Sequence, residues 1–264
     1  MSILSALTFD TKRVTKEGLR RLNLLAAVLY FLEAIAVLLI SNYDNGARSI
    51  GIGFLAKDTI SSDTLNHPVL VGAARHLFDI NLAYVIAAAL LVATVAQVLM
   101  ATNMRSRYEA DLKKAAAPMR WMAYIFSFGI AMLGLSLAVG ISDIVALGLL
   151  FVLTILAFNC ARMIEKRALV ANSLQVGSYS LVFVLLAILL YLLATLAYGA
   201  GLSGYVYAAL VALCLWVASI YRNLGLINLG AVARDYMKLE RSYLISSFIF
   251  LSLVVWLIYG ATLR

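Results

Sequence analysis

The chain has 264 residues, of which 64% are hydrophobic and 13% charged, with a formal net charge of +8. Soluble domains run near half apolar and a quarter charged, so this composition excludes a soluble fold and points to an integral membrane protein. Two prolines and 16 glycines also leave little room for a long disordered linker.

A helix needs about 20 apolar residues to cross the hydrocarbon, and seven stretches qualify. A basic cluster, Lys12 to Arg21, precedes the first, at 22–41. That run is long enough to span and too long for the apolar region of a signal peptide. The others lie at 80–101, 119–140, 144–161, 174–198, 204–222 and 243–263. Polar strips separate them, and none shows the alternation of a membrane barrel strand. Backbone amides in lipid must bond within their own segment, so helices follow. The expected fold is an all-α membrane protein, one seven-transmembrane-helix domain over residues 1–264.

Lys and Arg set its direction. The N-terminal segment and the loops after spans two, four and six together carry 17 of the 21 basic residues; Arg48, Lys57, Arg75 and Arg264 lie on the other side. The N-terminus is therefore expected in the cytoplasm and the C-terminus outside, in a plasma membrane of prokaryotic type. The basic excess reads as a topology signal and a surface for anionic lipid, with no nucleic-acid partner.

The long loop at 42–79 is outside. Asp44-Asn45-Gly46 suggests a hairpin turn, followed by the apolar Ile50-Gly51-Ile52-Gly53-Phe54-Leu55. Two readings stand side by side: an irregular cap, or a short hairpin over the bundle mouth or against a second protomer. Gly51 and Gly53 make no phosphate loop, since neither a strand–helix unit nor a Lys-Ser/Thr follows.

Chemistry has few residues to use. Ionisable groups within the membrane are functional candidates by default, and Glu33 reads as the only carboxylate at depth, with no Lys, Arg or His placed to pair with it. Arg75 and Asp79, four apart, suggest a helical pair at the entry to span two. Asp143 suits the cap of span four. Gln97, Asn159, Asn223 and Asn228 suit helix–helix hydrogen bonds. Cys160 and Cys214 read as buried hydrophobes. His67 and His76 match no metal-ligand spacing. No paired carboxylates and no nucleophile–base set are legible, so an enzyme is not expected.

Several short motifs are more specific: Arg120-Trp121-Met122-Ala123-Tyr124 opening span three, Gly140-Ile141-Ser142-Asp143-Ile144-Val145-Ala146-Leu147 across the next turn, and Glu165-Lys166 after span four. Gly204-Tyr205-Val206-Tyr207 opens span six, Glu240-Arg241-Ser242-Tyr243 precedes span seven, and Trp256 with Gly260-Ala261-Thr262-Leu263 closes it. In order and spacing the chain resembles the heliorhodopsins over nearly its whole length, most strongly from residue 105. The resemblance implies a rhodopsin-like bundle with an inside N-terminus and a homodimer. It also implies retinal held as a Schiff base on a lysine of span seven, with a glutamate counterion in span three.

Counted from Trp256, the lysine position is Leu251 here, and Ser247 one turn earlier is kept. The counterion position is Ala123. Histidines that the resemblance implies in spans one and two fall on Tyr30 and Ala96. Residues 246–256 carry no ionisable group, and no lysine lies inside any apolar run. A Schiff base requires an amine, and a protonated one in low dielectric requires a nearby negative charge. With the amine gone, a carboxylate at 123 would be an unpaired buried charge, so the two losses belong together.

The expected protein binds no covalent retinal and acts as a non-photochemical sensor, regulator or lipid-binding scaffold. Tyr30, Glu33, Ala96, Trp121, Ala123, Tyr124, Ser247 and Leu251 are candidates to line its vacated cavity. A cytoplasmic partner would dock on the basic loops at 103–120 and 223–242. The alternatives are a proton or small-solute pathway using Glu33, and a photoreceptor with a non-covalent chromophore lined by Trp121, Tyr124 and Trp256.

Overall fold

The computed structural model describes residues 14–58, 69–166, 170–198, 204–228 and 236–264. His67, Lys12, Arg13, Arg167, Arg234 and the side chain of Asn228 lie outside the described residues. Among the described residues, seven helices are long and apolar enough to cross a membrane. They are α1 (Lys16–Ile40), α3 (Leu82–Ala101), α5 (Pro118–Ala138), α6 (Ile144–Glu165), α7 (Val170–Tyr198), α8 (Gly204–Asn228) and α9 (Tyr236–Thr262). A one-turn helix α2 (Tyr43–Gly46) and the strands β1 (Ala47–Asp58) and β2 (Val69–Asn81) fill the first loop. A short helix α4 (Arg105–Lys113) fills the second.

Most spans run past the apolar stretches that mark them, and mainly at the basic end. Helix α1 starts at Lys16, α6 continues to Glu165, and α9 begins at Tyr236 instead of 243. Apolarity marks only the hydrocarbon depth, whereas helical hydrogen bonds continue into the interface wherever a cap or partner satisfies them. Thr15 caps α1 by accepting from the Gly18 amide at 3.0 Å. Asn81 does the same for α3 through the Ala83 amide at 2.9 Å.

Consecutive spans pack side by side, and α9 closes the bundle against α1, α3, α5 and α8. Helix α5 is the most enclosed span, with 78% of its apolar window buried. In lipid no hydrophobic force drives helices together, so close packing must hold them. Gly134 of α5 provides one close approach: a Cβ there would meet Ile86 Cγ2 of α3 at 3.0 Å. The aromatic set Tyr124, Phe128, Phe158 and Trp216 packs α5, α6 and α8 together, with Phe128 stacked on Trp216 at 3.8 Å between centroids.

The outer loop is a long antiparallel hairpin, not an irregular cap. Asp44-Asn45-Gly46 does not form its turn. Asn42 instead caps α2 by accepting from the Asp44 amide at 3.1 Å, and the strand connection falls at 59–68, outside the described residues. The pairing shifts between Ile50 and Gly51. Gly51 suits that irregularity, because a Cβ on it would lie 2.9 Å from the Arg75 carbonyl oxygen. Residues 75–79 are strand, so the expected helical pair of Arg75 and Asp79 does not form. Asp79 contacts His76 at 3.0 Å instead.

The hairpin is tied to the bundle through the turn between α5 and α6. Gly140 has φ +97° in this turn, a conformation glycine adopts without steric cost. The Gly51 amide donates to the Ser142 carbonyl at 3.0 Å and the Gly53 amide to Asp143 Oδ2 at 2.9 Å. The other oxygen of Asp143 accepts from the Val145 and Ala146 amides, so the residue caps α6 and anchors the hairpin together. Donation from the Ala146, Gly53 and Val145 amides holds its carboxyl below the usual aspartate range.

Candidate functional site

The densest group of charged side chains inside the bundle lies at its basic end. Arg120, in the first turn of α5, is fully buried. Its guanidinium pairs with Glu165 at the end of α6 and with Glu240 in α9, both also buried. Glu165 Oε2 accepts from the Ala117 amide at 2.9 Å and from Trp121 Nε1 at 2.8 Å, and Oε1 accepts from the Tyr236 hydroxyl at 2.8 Å. Glu240 Oε1 accepts from the Tyr108 hydroxyl of α4 at 2.7 Å. The guanidinium carbon lies 4.2 Å from the Tyr243 ring centroid and 4.7 Å from that of Trp121, within range of cation–π attraction.

Each part follows from local structure. Pro118 occupies the first turn of α5, where a missing N–H costs nothing. Ala117 at the N-cap has no side chain to cap the helix, and Glu165 takes the Ala117 amide across from α6. Glu240 and Tyr243 sit three apart on α9 and face the same guanidinium. The cluster thereby fastens α4, α5, α6 and α9 at one point. It holds one positive and two negative groups when both carboxylates are ionised, and one bound proton makes it neutral.

This corrects one expectation from sequence: paired carboxylates are present, on Arg120. Glu33 is half-buried on α1, and its Oε2 and Ser252 Oγ are both enclosed without a hydrogen bond among the described residues. The cluster escapes a sequence reading because each member lies at the edge of an apolar run or just beyond it. There Arg120 counts as a topology marker and the two glutamates as loop residues. The available signal was that all three belong to the short motifs that carry the family resemblance.

The cavity candidates are spread over the interior and one flank of the bundle. Leu251, Tyr30, Trp121, Tyr124 and Ser247 are packed in the interior. Tyr30 lies 5.0 Å from Phe248 between ring centroids, and the Tyr124 hydroxyl donates to the Tyr243 carbonyl at 3.0 Å. Trp256 packs edge-on to Tyr259 at 5.4 Å, away from the aromatic set around Trp216. Ala96 and Ala123 line a groove of about 650 Å³ on the bundle's flank between α3 and α5. Among the described residues no three His, Cys, Asp or Glu side chains converge as a metal site.

Seven spans in this order, with Arg120, Glu165 and Glu240 of the motifs joined at the basic end, define a rhodopsin-like seven-helix membrane protein. The heliorhodopsin family model matches residues 19–263, and the chain belongs to that family. No curated protein matches it.

Proposed function

We propose that this heliorhodopsin-family protein holds no covalent retinal and works as a light-independent regulator or scaffold in a prokaryotic plasma membrane, without enzymatic activity. One observation carries the reading. Leu251 occupies the position where the family resemblance implies the Schiff-base lysine, and it is fully enclosed among apolar side chains. The lysines that belong to spanning helices, Lys16 and Lys238, lie in the first turns of α1 and α9 at the basic end. An aldehyde therefore meets no amine at mid-membrane depth in these helices. Ala123 at the counterion position agrees with the loss of the charge it would balance.

Expression in the presence of all-trans-retinal is expected to give a colourless protein after washing, with no band that shifts on hydroxylamine. A retinylidene adduct on any side chain, found by mass spectrometry, overturns the reading.

Two surfaces support action through partners. Lys113 and Lys114 are exposed at the end of α4 on the basic face, where a cytoplasmic protein with an acidic surface would dock. At the other end the hairpin exposes Phe54, Leu55, Leu70, Val71, Leu77 and Phe78. Exposed apolar side chains on a two-stranded sheet favour cover by a second copy. The purified protein is expected to sediment as a homodimer, and Leu55→Asp with Phe78→Asp to give monomers. A wild-type monomer at micromolar concentration rejects the dimer.

A further inference from the structure

The groove on the flank belongs neither to the charge cluster nor to the packed interior around Leu251. Its walls are Leu91, Val95 and Leu99 of α3 and Met119, Met122 and Phe126 of α5. Several of these face outward: Val95 is 57% exposed and Phe126 47%. The floor is made by Ala96 and Ala123. Both are small, and larger side chains at either position would fill the depression. From Leu91 to Met100 the helix rises about 14 Å, close to half of the ~30 Å hydrocarbon core. The groove is therefore about as long as one leaflet is deep, and its volume lies within the usual range for sites that enclose small ligands.

At its basic end the groove is bordered by Arg107, Arg162 and Lys166. Arg162 and Lys166 are four apart and share one face of the α6 terminus. None of the three makes an ion pair among the described residues, whereas Arg105 is paired with both Glu17 and Glu109. Arg162 Nη1 is directed at Met122 Sδ, 3.6 Å away, on the groove wall. The first turn of α5, Pro118 and Met119, lines the same mouth and adds the partial positive charge of a helix N-terminus. An apolar channel one leaflet long, ending in three unpaired cations at headgroup level, matches one ligand chemistry.

We infer that this groove binds an anionic membrane phospholipid, with an acyl chain along Ala96 and Ala123 and the phosphate held by Arg107, Arg162 and Lys166. The site does not depend on whether retinal binds, because Leu251 does not line it.

The test is native mass spectrometry of the delipidated full-length protein titrated with phosphatidylglycerol or with phosphatidylcholine of the same chains. Phosphatidylglycerol is expected to bind about tenfold more tightly, in line with the attraction of an anionic headgroup to several basic side chains. Arg162→Gln with Lys166→Gln should bring that preference near unity and leave phosphatidylcholine unchanged. Ala96→Phe should weaken both lipids by filling the floor. The charge pair alters only the groove mouth, so it keeps the test decisive if Ala96→Phe does not fold. Inorganic phosphate is expected not to compete, because it has nothing to place along the walls. The inference is overturned by equal binding of the two lipids, by a preference that survives the charge pair, or by displacement with free phosphate. A doubled mass with no lipid bound, showing the groove closed by a second copy, also overturns it.

Discussion

Arg120→Ala is expected to destabilise the folded bundle by about 3–5 kcal/mol, the usual cost of removing one partner from a buried ion pair. The loss comes less from the missing attraction than from what stays behind. Glu165 and Glu240 would remain enclosed at the junction of α5, α6 and α9 without the guanidinium between them. Arg120→Lys should recover only part of the loss, because an ammonium lacks the planar fork that reaches two carboxylates while stacking on Tyr243 and Trp121. Glu165→Gln should cost less than Arg120→Ala, about 1–3 kcal/mol, since its carbonyl oxygen still accepts from some of the same donors. Reversible unfolding in mixed micelles measures all three. An Arg120→Ala protein as stable as the parent would show that the cluster does not fasten the helices. Replacing Arg120, Glu165 and Glu240 together with apolar residues is expected to be far milder than Arg120→Ala alone, because no buried charge is then left unpaired.

The contrast between spans and cluster shows what a sequence can carry. The spans were legible because lipid imposes one local rule, about 20 apolar residues closing their own hydrogen bonds. The cap at Asp143 was legible for a similar reason, since it acts on amides two and three residues away. The hairpin was only half legible. A spacing of four puts two residues on one side of a helix and equally on one side of a regular strand, so the spacing of Arg75 and Asp79 fits both periods. Charge spacing alone therefore cannot separate the two. The second anchor of Asp143, the Gly53 amide, lies ninety positions away and has no local signature. The same holds for Arg120, Glu165 and Glu240. Each looks solvated in its own neighbourhood, and only the packing of three helix ends encloses them. The extent of a cavity is not legible in sequence for a related reason. A family motif gives positions along helices, whereas the side each residue faces depends on how tightly the neighbouring helix fits.

That last point sets the outcome expected for putting the lost pair back. Leu251→Lys should cost about 3 kcal/mol, the order found for a lysine at the centre of a spanning helix. Leu251 is fully enclosed in the apolar core, so the new ammonium would be cut off from bulk water. In a site built to hold a Schiff base, adding Ala123→Glu would supply the partner charge and recover stability. Here Ala123 lines the flank groove and Leu251 does not, so a glutamate at 123 is drawn toward the groove whose mouth carries Arg162 and Lys166. The double variant is therefore expected to show little coupling, within about 0.5 kcal/mol of the sum of the single changes, and to stay colourless with all-trans-retinal. A coupling above about 1 kcal/mol, together with a hydroxylamine-sensitive band, would mean that the two positions still face one another. The interior around Leu251 would then be a retinal site lacking only its two charged residues, and not a space that packing has closed.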